Sequence, residues 1–413
     1  MEESFAYLPD RLFAATGEGI ERGRAVWVEH GAIRDVVLAM DLPAGVPVVP
    51  LRDVTLMPAL IDAHVHLDFP GDGSTYEALD EDDETLAAAA GARARAALEA
   101  GITTVRDCGS RGRSVFAVRR ASALGWAETA AVRAAGAPIT VRRGHTWPLG
   151  GEAEGIDGVR AAVLARLGAG ADFIKVINSG GGTAGSTVHE AAFPRQELRA
   201  IVQEAHRAGL KVTMHCLCAE AIERAVDVGA DQIEHGQFYT ASGDLSFDAR
   251  VAQHLADSRI PLTPTLVVAQ IQAERLDRSA PVAERDHWRR MADGWLESAR
   301  RLNALGVPLV AGTDAGWRHV GFTVLWREIQ LLREAGLTGP QSLEAATARS
   351  AQALGLQHTG QIRPGFRADL IAVAGNPVDD AHALADVRLV VRGGRVVHRA
   401  ALAPPSVQPA SPL

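Results

Sequence analysis

Two histidines two positions apart, His64 and His66, are the first residues in this sequence whose spacing indicates chemistry. They stand in ALIDAHVHL, where the apolar residues favour a buried strand. Alternate residues of a strand face the same side, so both imidazoles can reach one ion. A lone His-x-His pair is weak evidence, because such pairs also occur incidentally. Three more ligand-type residues, which suit Zn²⁺ and similar divalent ions, follow later apolar runs: His215 in VTMHC, His235 in IEHG and Asp314 in AGTDAG.

Lys175 is the second unusual residue. The chain has 42 lysines and arginines, and only Lys175 and Lys211 are lysines. Lys175 lies in the apolar run FIKVI, where a charge is costly unless it is paired or neutralised. A buried lysine can lose its proton, whereas arginine effectively cannot. The position therefore calls for a property that is specific to lysine, and a salt-bridged lysine at a strand end is the simpler alternative.

The elements that must position these residues form a regular alternation. Eight β-type runs alternate with helical patterns rich in Ala, Leu, Arg and Glu, and we predict strands at residues 60–67, 102–107, 131–139, 172–178, 212–216, 232–235, 261–267 and 307–313. This alternation predicts an α/β fold of the (β/α)₈ TIM-barrel type. Barrel enzymes carry their active residues at the C-terminal ends of the strands, which is where the candidate ligands occur.

Both ends of the chain have a different residue pattern from the middle. Residues 1–57 and 360–400 contain short β-type runs and turns, and we expect them to form one small β-sandwich domain. The barrel would then cover residues 58–359. The Pro-rich residues 401–413 are predicted to be a disordered tail.

Composition limits the classes of partner. The formal net charge is −8 and there is no basic tract, so we expect no nucleic-acid partner. No apolar run reaches the length of a membrane span, and the first residues lack the apolar segment of a signal peptide. Three sparse cysteines favour a reducing, cytoplasmic compartment. The expected partner is a small-molecule substrate, and assembly into a homo-oligomer is left open.

The motifs carry a resemblance to a known family. LMPALIDAHVHL, FIKVINSGG, VTMHC, IEHG, AGTDAG and the closing GQIRPGFRADLIAVAGNPVDD resemble the metal-dependent amidohydrolase superfamily, over about residues 45–398. The stretch RGHTWPLGGEAEGIDGVRAAVLARLGAGADFIKV is similar to the branch of imidazolonepropionase-related peptidases, which includes Xaa-Pro dipeptidases. The resemblance implies a hydrolase of an amide or peptide C–N bond in an N-acyl amino acid, a dipeptide or a related small amide.

The resemblance also implies a binuclear centre with two divalent ions, expected to be Zn²⁺. His64, His66 and Asp314 would hold one ion, and His215 and His235 the other. Lys175 would be N6-carboxylated, and its carbamate would bridge the two ions. A hydroxide between the ions would attack the carbonyl carbon, with Asp314 taking and returning the proton.

Candidate substrate contacts follow from the resemblance and from position in the sequence. His145, in RRGHTWP, matches a histidine that contacts substrate in the family. Tyr239, just after IEHG, and Arg318, just after AGTDAG, are expected to face the substrate at the barrel mouth. Two residues depart from the family pattern: Arg143 replaces a usual glycine, and Leu217 replaces a frequent polar ring. Leu217 indicates a more apolar substrate portion.

Two other functions remain open from the sequence. One is a mononuclear cyclic amide or amidine hydrolase, or a deaminase, of the same superfamily. Those members generally lack the fourth-strand lysine, so metal stoichiometry separates the two alternatives. The other is a non-catalytic barrel that acts in assembly, a class that tends to have lost metal ligands.

Overall fold

A computed structural model of the chain describes residues 4–276 and 280–400. The tail predicted for residues 401–413 lies outside the described residues. The strands in chain order are β1 Ser4–Phe13, β2 Ile20–Glu21, β3 Arg24–Glu29, β4 Ala32–Leu38, β5 Val48–Pro58, β6 Leu60–Val65, β7 Ile102–Asp107, β8 Ala131–Ala134, β9 Ile174–Ile177, β10 Val212–Cys216, β11 Gln232–His235, β12 Leu262–Thr263, β13 Leu370–Ala374, β14 Val387–Arg392 and β15 Arg395–Arg399.

Helices separate the central strands, as the sequence pattern predicts for an α/β fold. They are α1 Asp83–Glu99, α2 Ser114–Ala123, α3 Gly155–Ala169, α4 Arg195–Arg207, α5 Ala219–Val228, α6 Ala249–Ser258, α7 Val267–Arg275, α8 Val282–Ala304, α9 Leu325–Glu334, α10 Gly339–Ala345 and α11 Ala348–Leu354. Helices α3 and α5 end at Gly170 and Gly229, whose left-handed backbone (φ 87° and 79°) is the usual glycine C-cap. None of the described helices is long and apolar enough to cross a bilayer.

The central strands pair in parallel in two groups. One sheet has the order β6-β7-β8 and the other β12-β11-β10-β9. A parallel bridge between Ile139 and Val176 connects the end of the first group to the second. Because all of these strands are parallel, their C-terminal ends lie on the same side.

Five of the eight predicted strands are shorter than expected or absent. The strands predicted at 60–67, 131–139 and 172–178 are reduced to β6, β8 and β9, and the last two of the eight depart most. The run predicted at 261–267 is β12 only, since Pro264 follows it and α7 already begins at Val267. The run predicted at 307–313 is no continuous strand. Its Ala311 amide donates to the Ala345 carbonyl at the end of α10, which interrupts the ladder.

The eighth segment still contacts strands on both sides through its backbone. The Leu262 amide donates to the Pro308 carbonyl at 2.9 Å, and the Val310 amide donates back to the Leu262 carbonyl at 2.9 Å. On the other side, the Asp314 amide donates to the His64 carbonyl at 2.8 Å. These bonds place Asp314 beside the end of β6.

Strands from both ends of the chain pair in a separate sheet of eight strands. The order is β15-β14-β13-β5-β1-β3-β4, with β2 paired to β1. The sheet has its own buried apolar cluster, which includes Tyr7, Leu12, Val26, Leu56 and Leu370. The largest cluster of buried apolar residues is a different one and lies around the central strands.

Candidate active site

Six predicted ligand residues meet at the C-terminal ends of the parallel strands. They line one cavity of about 330 Å³, and all are buried: His64, His66, Lys175, His215, His235 and Asp314. The sequence separates these residues by up to 250 positions, and the parallel strands bring them to one side of the sheet. A buried, concave site with convergent polar groups is the usual form of a small-molecule site.

Asp314 and Lys175 both lie close to the histidine pair His64 and His66. Asp314 Oδ1 lies 3.4 Å from His64 Nε2 and 3.3 Å from His66 Nε2. Donor atoms of these three residues all lie within 4.8 Å of one another. Lys175 Nζ is 3.4 Å from His64 Nε2. Two imidazoles and a carboxylate at this spacing form a donor set that fits a divalent cation such as Zn²⁺.

Each histidine of the cluster uses one ring nitrogen for a bond to the protein. His64 Nδ1 donates to Glu234 Oε2 at 2.7 Å, and His66 Nδ1 donates to the Gly109 carbonyl at 3.0 Å. His215 Nε2 donates to the Gly180 carbonyl at 3.0 Å. His235 Nδ1 is hydrogen-bonded to Thr265 Oγ1 at 2.7 Å. Such bonds fix the ring orientation and leave the other nitrogen available as a ligand, which is the usual arrangement around protein-bound metals.

Burial controls the protonation of the cluster. It lowers the pKa of His64, His215 and His235 well below the ordinary value, so these imidazoles are neutral and able to bind a metal. Burial raises the pKa of Asp314, but its interactions with the neighbouring histidines, including the hydrogen bond from His66, and with Lys175 together outweigh burial and bring the value to about 2. Burial alone would lower the pKa of His66, but the hydrogen bond to Asp314 and the charges of Asp314 and Asp107 together outweigh it and raise the pKa.

Three residues at these strand ends have a left-handed backbone that side-chain-bearing residues rarely adopt. The φ angles are 66° for His235, 51° for Thr265 and 58° for Asp314. Such conformations cost on the order of 1–3 kcal/mol each and persist where the surrounding structure enforces them, often at functional sites. The strained residues are the candidate ligands His235 and Asp314 and the hydrogen-bond partner of His235, Thr265. This strain agrees with a functional cluster.

Glu234 is a component of the site that the sequence analysis did not single out, although it is part of the IEHG motif. Its fully buried carboxylate accepts from His64 Nδ1, from Arg106 at 2.5 Å and from the Thr213 hydroxyl. Burial opposes ionisation, yet the charges of Arg106 and Lys175 lower the pKa of Glu234. The signal in the sequence was an acidic residue inside a buried strand, next to a candidate ligand.

His145 lies on the same cavity wall, beside the glycine-rich loop SGGGTAGS. Its ring centroid is 4.9 Å from that of His215, and its pKa is lowered by burial. A Cβ atom on Gly181 would lie 2.5 Å from His145 Cδ2, and one on Gly182 would lie 2.6 Å from the Trp317 ring. The glycines therefore allow a close approach of two rings to the loop backbone.

The remaining predicted contacts are divided between the cavity and the surface. Tyr239, Arg318 and Leu217 line the cavity. The Tyr239 hydroxyl donates to Met291 Sδ at 3.3 Å and accepts from the Trp295 indole at 3.2 Å. Arg143 is exposed, and Glu152 accepts its backbone N–H, so this departure from the family pattern faces solvent.

Aromatic and apolar residues complete the cavity. The Arg318 guanidinium lies 5.2 Å from the centre of the Trp288 ring, which is a cation–π contact. Trp295, Trp317 and Leu217 also line the cavity, so the Arg318 guanidinium lies beside a largely apolar wall. The three cysteines, Cys108, Cys216 and Cys218, are buried and unpaired.

Comparison with known proteins agrees with this geometry. The profile of the Amidohydrolase family matches residues 55–397. Ochratoxinase from Aspergillus niger is 29% identical over 385 residues, which cover 84% of this chain and 76% of that protein. Imidazolonepropionase from Anaeromyxobacter dehalogenans is 28% identical over 438 residues, with 94% and 92% covered.

Solved structures agree in fold with these sequence relatives. The crystal structure of a Xaa-Pro dipeptidase with bound methionine in the active site superposes with a TM-score of 0.83 and 26% identity, covering 96% of this chain and 100% of that one. The crystal structure of A. niger ochratoxinase has a TM-score of 0.82 and 25% identity, with 96% and 95% covered. Neighbours at this level of similarity imply a TIM-barrel fold. The chain thus belongs to the amidohydrolase family and is a hydrolase that acts on carbon–nitrogen bonds.

Proposed function

We propose that this chain is a binuclear metal-dependent hydrolase of the amide bond in a small N-acyl amino acid, dipeptide or related amide. One observation carries the proposal: four buried imidazoles, one carboxylate and one lysine converge at the strand ends, with Lys175 Nζ 3.4 Å from His64 Nε2. A purely structural lysine would be paired with a carboxylate, and no salt bridge of Lys175 to an acidic residue occurs in the described part of the chain.

The donor set divides into two groups. We assign His64, His66 and Asp314 to one ion, and His215 and His235 to the other. Lys175, carboxylated at its terminal nitrogen, would contribute anionic oxygen ligands to the centre. Divalent ions held there, which we take to be Zn²⁺, polarise the amide carbonyl and acidify the attacking water.

The protein's own groups then handle the protons. Asp314, which is ionised at neutral pH, accepts the proton that the attacking water loses. It delivers that proton to the nitrogen as the C–N bond breaks, so the products are a carboxylic acid and an amine. His145 faces the same space and would donate a hydrogen bond to a substrate oxygen.

The cavity walls suggest which substrates fit. Arg318 provides a positive charge for a carboxylate of the substrate, and Tyr239 stands on the same wall. Leu217 and the indoles of Trp295 and Trp317 provide apolar surface for a bulky substrate portion. Substrates with one free carboxylate and one apolar side group match both features.

We also propose the finer architecture. The backbone bonds of the segment that ends at Asp314 support closure of the strands into an eight-stranded barrel over residues 58–359. The separate buried cluster of the sheet from the chain ends supports a β-sandwich domain of residues 1–57 and 360–400. Unpaired cysteines support a reducing, cytoplasmic compartment.

Two measurements test the proposed function. Elemental analysis of the purified protein should give close to two divalent ions per chain. A panel of dipeptides, N-acyl amino acids and lactams should then reveal turnover of amides that carry a carboxylate and an apolar group. One ion per chain with full activity would favour the mononuclear alternative, for which the close grouping of His64, His66 and Asp314 is the supporting observation.

A further inference from the structure

The hydroxyl of Thr183 is the centre of a buried hydrogen-bond network on the cavity wall. Its Oγ1 lies 2.6 Å from His145 Nδ1, 2.5 Å from the Tyr76 hydroxyl and 3.0 Å from the Thr146 amide nitrogen. The backbone N–H of Thr183 also points to His145 Nδ1, at 3.3 Å. His145, Thr146 and Thr183 are each less than 10% exposed, since their relative exposures are 7%, 3% and 6%. These three residues are therefore largely shielded from water, and a polar group left without a partner among them is costly.

Counting protons assigns the direction of each bond. A backbone N–H can only donate, so His145 Nδ1 must accept from Thr183 and carries no proton. The single hydroxyl proton of Thr183, on the oxygen 2.6 Å away, then points to the same nitrogen, so the one lone pair of Nδ1 takes this bond as the main one and the longer 3.3 Å backbone contact as a minor one. Since that proton is used, Oγ1 accepts from the Thr146 N–H and from the Tyr76 hydroxyl. Burial raises the pKa of Tyr76 to about 12, so its hydroxyl keeps the proton that this bond requires.

The opposite tautomer leaves the network unsatisfied. If His145 Nδ1 carried the proton, it would face the Thr183 backbone N–H as donor against donor. That amide has no other acceptor in the described part of the chain. A buried donor without a partner has given up its hydrogen bonds to water and gains none in the protein, so this arrangement is disfavoured.

We propose that Thr183 and Tyr76 are positioning residues that hold His145 in the tautomer protonated at Nε2, and that this N–H donates to an oxygen of the substrate. Nε2 of His145 has no hydrogen-bond partner within residues 4–276 and 280–400, and the ring lines the cavity. The assignment of a substrate to this cavity rests on the proposed function. The tautomer rests on the network alone.

Packing holds the ring in the same orientation. The Gly181 backbone lies against one face of the ring, where a Cβ atom would be 2.6 Å from Nε2. The Trp317 ring lies edge-on to His145, with centroids 5.5 Å apart and an interplanar angle of 83°. A flipped ring would exchange the acceptor nitrogen for a carbon at the Thr183 hydroxyl. The direction of the donor is therefore set by four loops, which follow β6, β8, β9 and the segment that ends at Asp314.

Nitrogen NMR of histidine-labelled, metal-loaded protein tests the tautomer directly, without substrate. In the wild type, His145 should show a protonated Nε2 and an unprotonated Nδ1, assigned by comparison with the spectrum of His145→Gln. Thr183→Ser keeps the hydroxyl and should preserve this pattern. Thr183→Val removes the shorter bond to Nδ1 and leaves only the 3.3 Å contact with the backbone N–H, so it should shift part of the population to the Nδ1-protonated tautomer. Tyr76→Phe keeps both donors to Nδ1 and removes only a donor to the Thr183 hydroxyl, so it should give a smaller shift. Thr187→Val, which changes an exposed threonine of the same loop, is the matched control.

Kinetics on an amide substrate provide the second measurement. Thr183→Val should reduce kcat/KM at least about tenfold, the effect of one lost hydrogen bond in a buried site, while metal content stays unchanged. Thr183→Ser should recover to within about threefold of the wild type. A wild-type His145 protonated at Nδ1, or a Thr183→Val protein with the wild-type spectrum and wild-type kinetics, would overturn the proposal. The Nε2-protonated spectrum in a protein without amide turnover would instead count against the proposed function and leave the tautomer standing.

Discussion

His64 Nδ1 and Glu234 Oε2 are 2.7 Å apart, and both side chains are almost completely buried. The carboxylate accepts the imidazole proton, so the other ring nitrogen of His64 is directed at Asp314 and Lys175. A carboxylate behind a metal-binding histidine fixes the tautomer and makes the imidazole a better ligand. Glu234 thereby connects the interior of the strands, through Arg106, to the proposed metal centre.

We expect Glu234→Gln to weaken metal binding about 10–100-fold, the range for loss of such a supporting group. The amide cannot be anionic, so Arg106 loses its buried counter-charge and His64 loses its charged acceptor. Metal content after dialysis against graded chelator measures the effect. Glu223→Gln is the control, because Glu223 pairs with surface arginines and does not contact the cavity. Equal metal retention by both variants would mean that Glu234 does not support His64.

Asp314→Asn should reduce kcat by at least about 10²-fold, the lower range for a positioned acid–base group. The amide keeps the size of the side chain but cannot take the proton from the attacking water. Metal content must be measured on the same samples, because Asp314 is also a proposed ligand. Near-normal kcat with both ions bound would remove Asp314 from proton transfer.

Local pattern was sufficient to single out the proposed ligand residues that meet in one cavity, because the relevant constraint was local. His64 and His66 share a side of one strand, and each later ligand ends its own apolar run. The α/β alternation of the middle and the β texture of both ends were predicted on the same grounds, and the sheet order agrees with them. Residue type alone also identified Lys175 as unusual.

Contacts between distant segments could not be predicted in this way. The His64–Glu234 pair spans 170 positions, and Tyr76 meets Thr183 across 107 positions. Nothing in the sequence near Tyr76 indicates that its hydroxyl supports a histidine on another loop. The break in the strand predicted at 307–313 was missed for a similar reason, since the Ala311 N–H donates to the Ala345 carbonyl of the distant α10, although the Ala311 carbonyl still accepts from Ala63 of β6.

Gly181→Ala should lower kcat/KM by about 10²-fold, the cost of displacing a catalytic geometry by roughly 1 Å. The new Cβ would stand 2.5 Å from His145 Cδ2, so the ring must move away from its hydrogen bonds. The backbone of Gly181 is not left-handed, which makes the effect steric. Gly158→Ala is the matched control: a Cβ there meets nothing within 4 Å, and alanine stabilises helix α3 by about 0.5–1 kcal/mol. Equal kinetics of the two variants would show that the ring tolerates displacement.

Lys175 provides the most specific prediction, because the carbamate requires lysine chemistry. Lys175→Arg should lose metal or activity although it preserves the positive charge, since a guanidinium cannot be deprotonated or bind a cation. Lys175→Ala should also lose metal or activity. It leaves a gap beside His64, whose Nε2 lies 3.4 Å from the position of the removed amine. Acetate or propionate can enter that gap and should partly restore activity to Lys175→Ala but not to Lys175→Arg, where the larger side chain fills it. Bicarbonate should raise the activity of metal-free wild type during reconstitution, because carboxylation of the amine needs carbon dioxide. An active Lys175→Arg enzyme, together with electron density for a plain ammonium at Lys175 in metal-loaded crystals, would assign this lysine to a structural role.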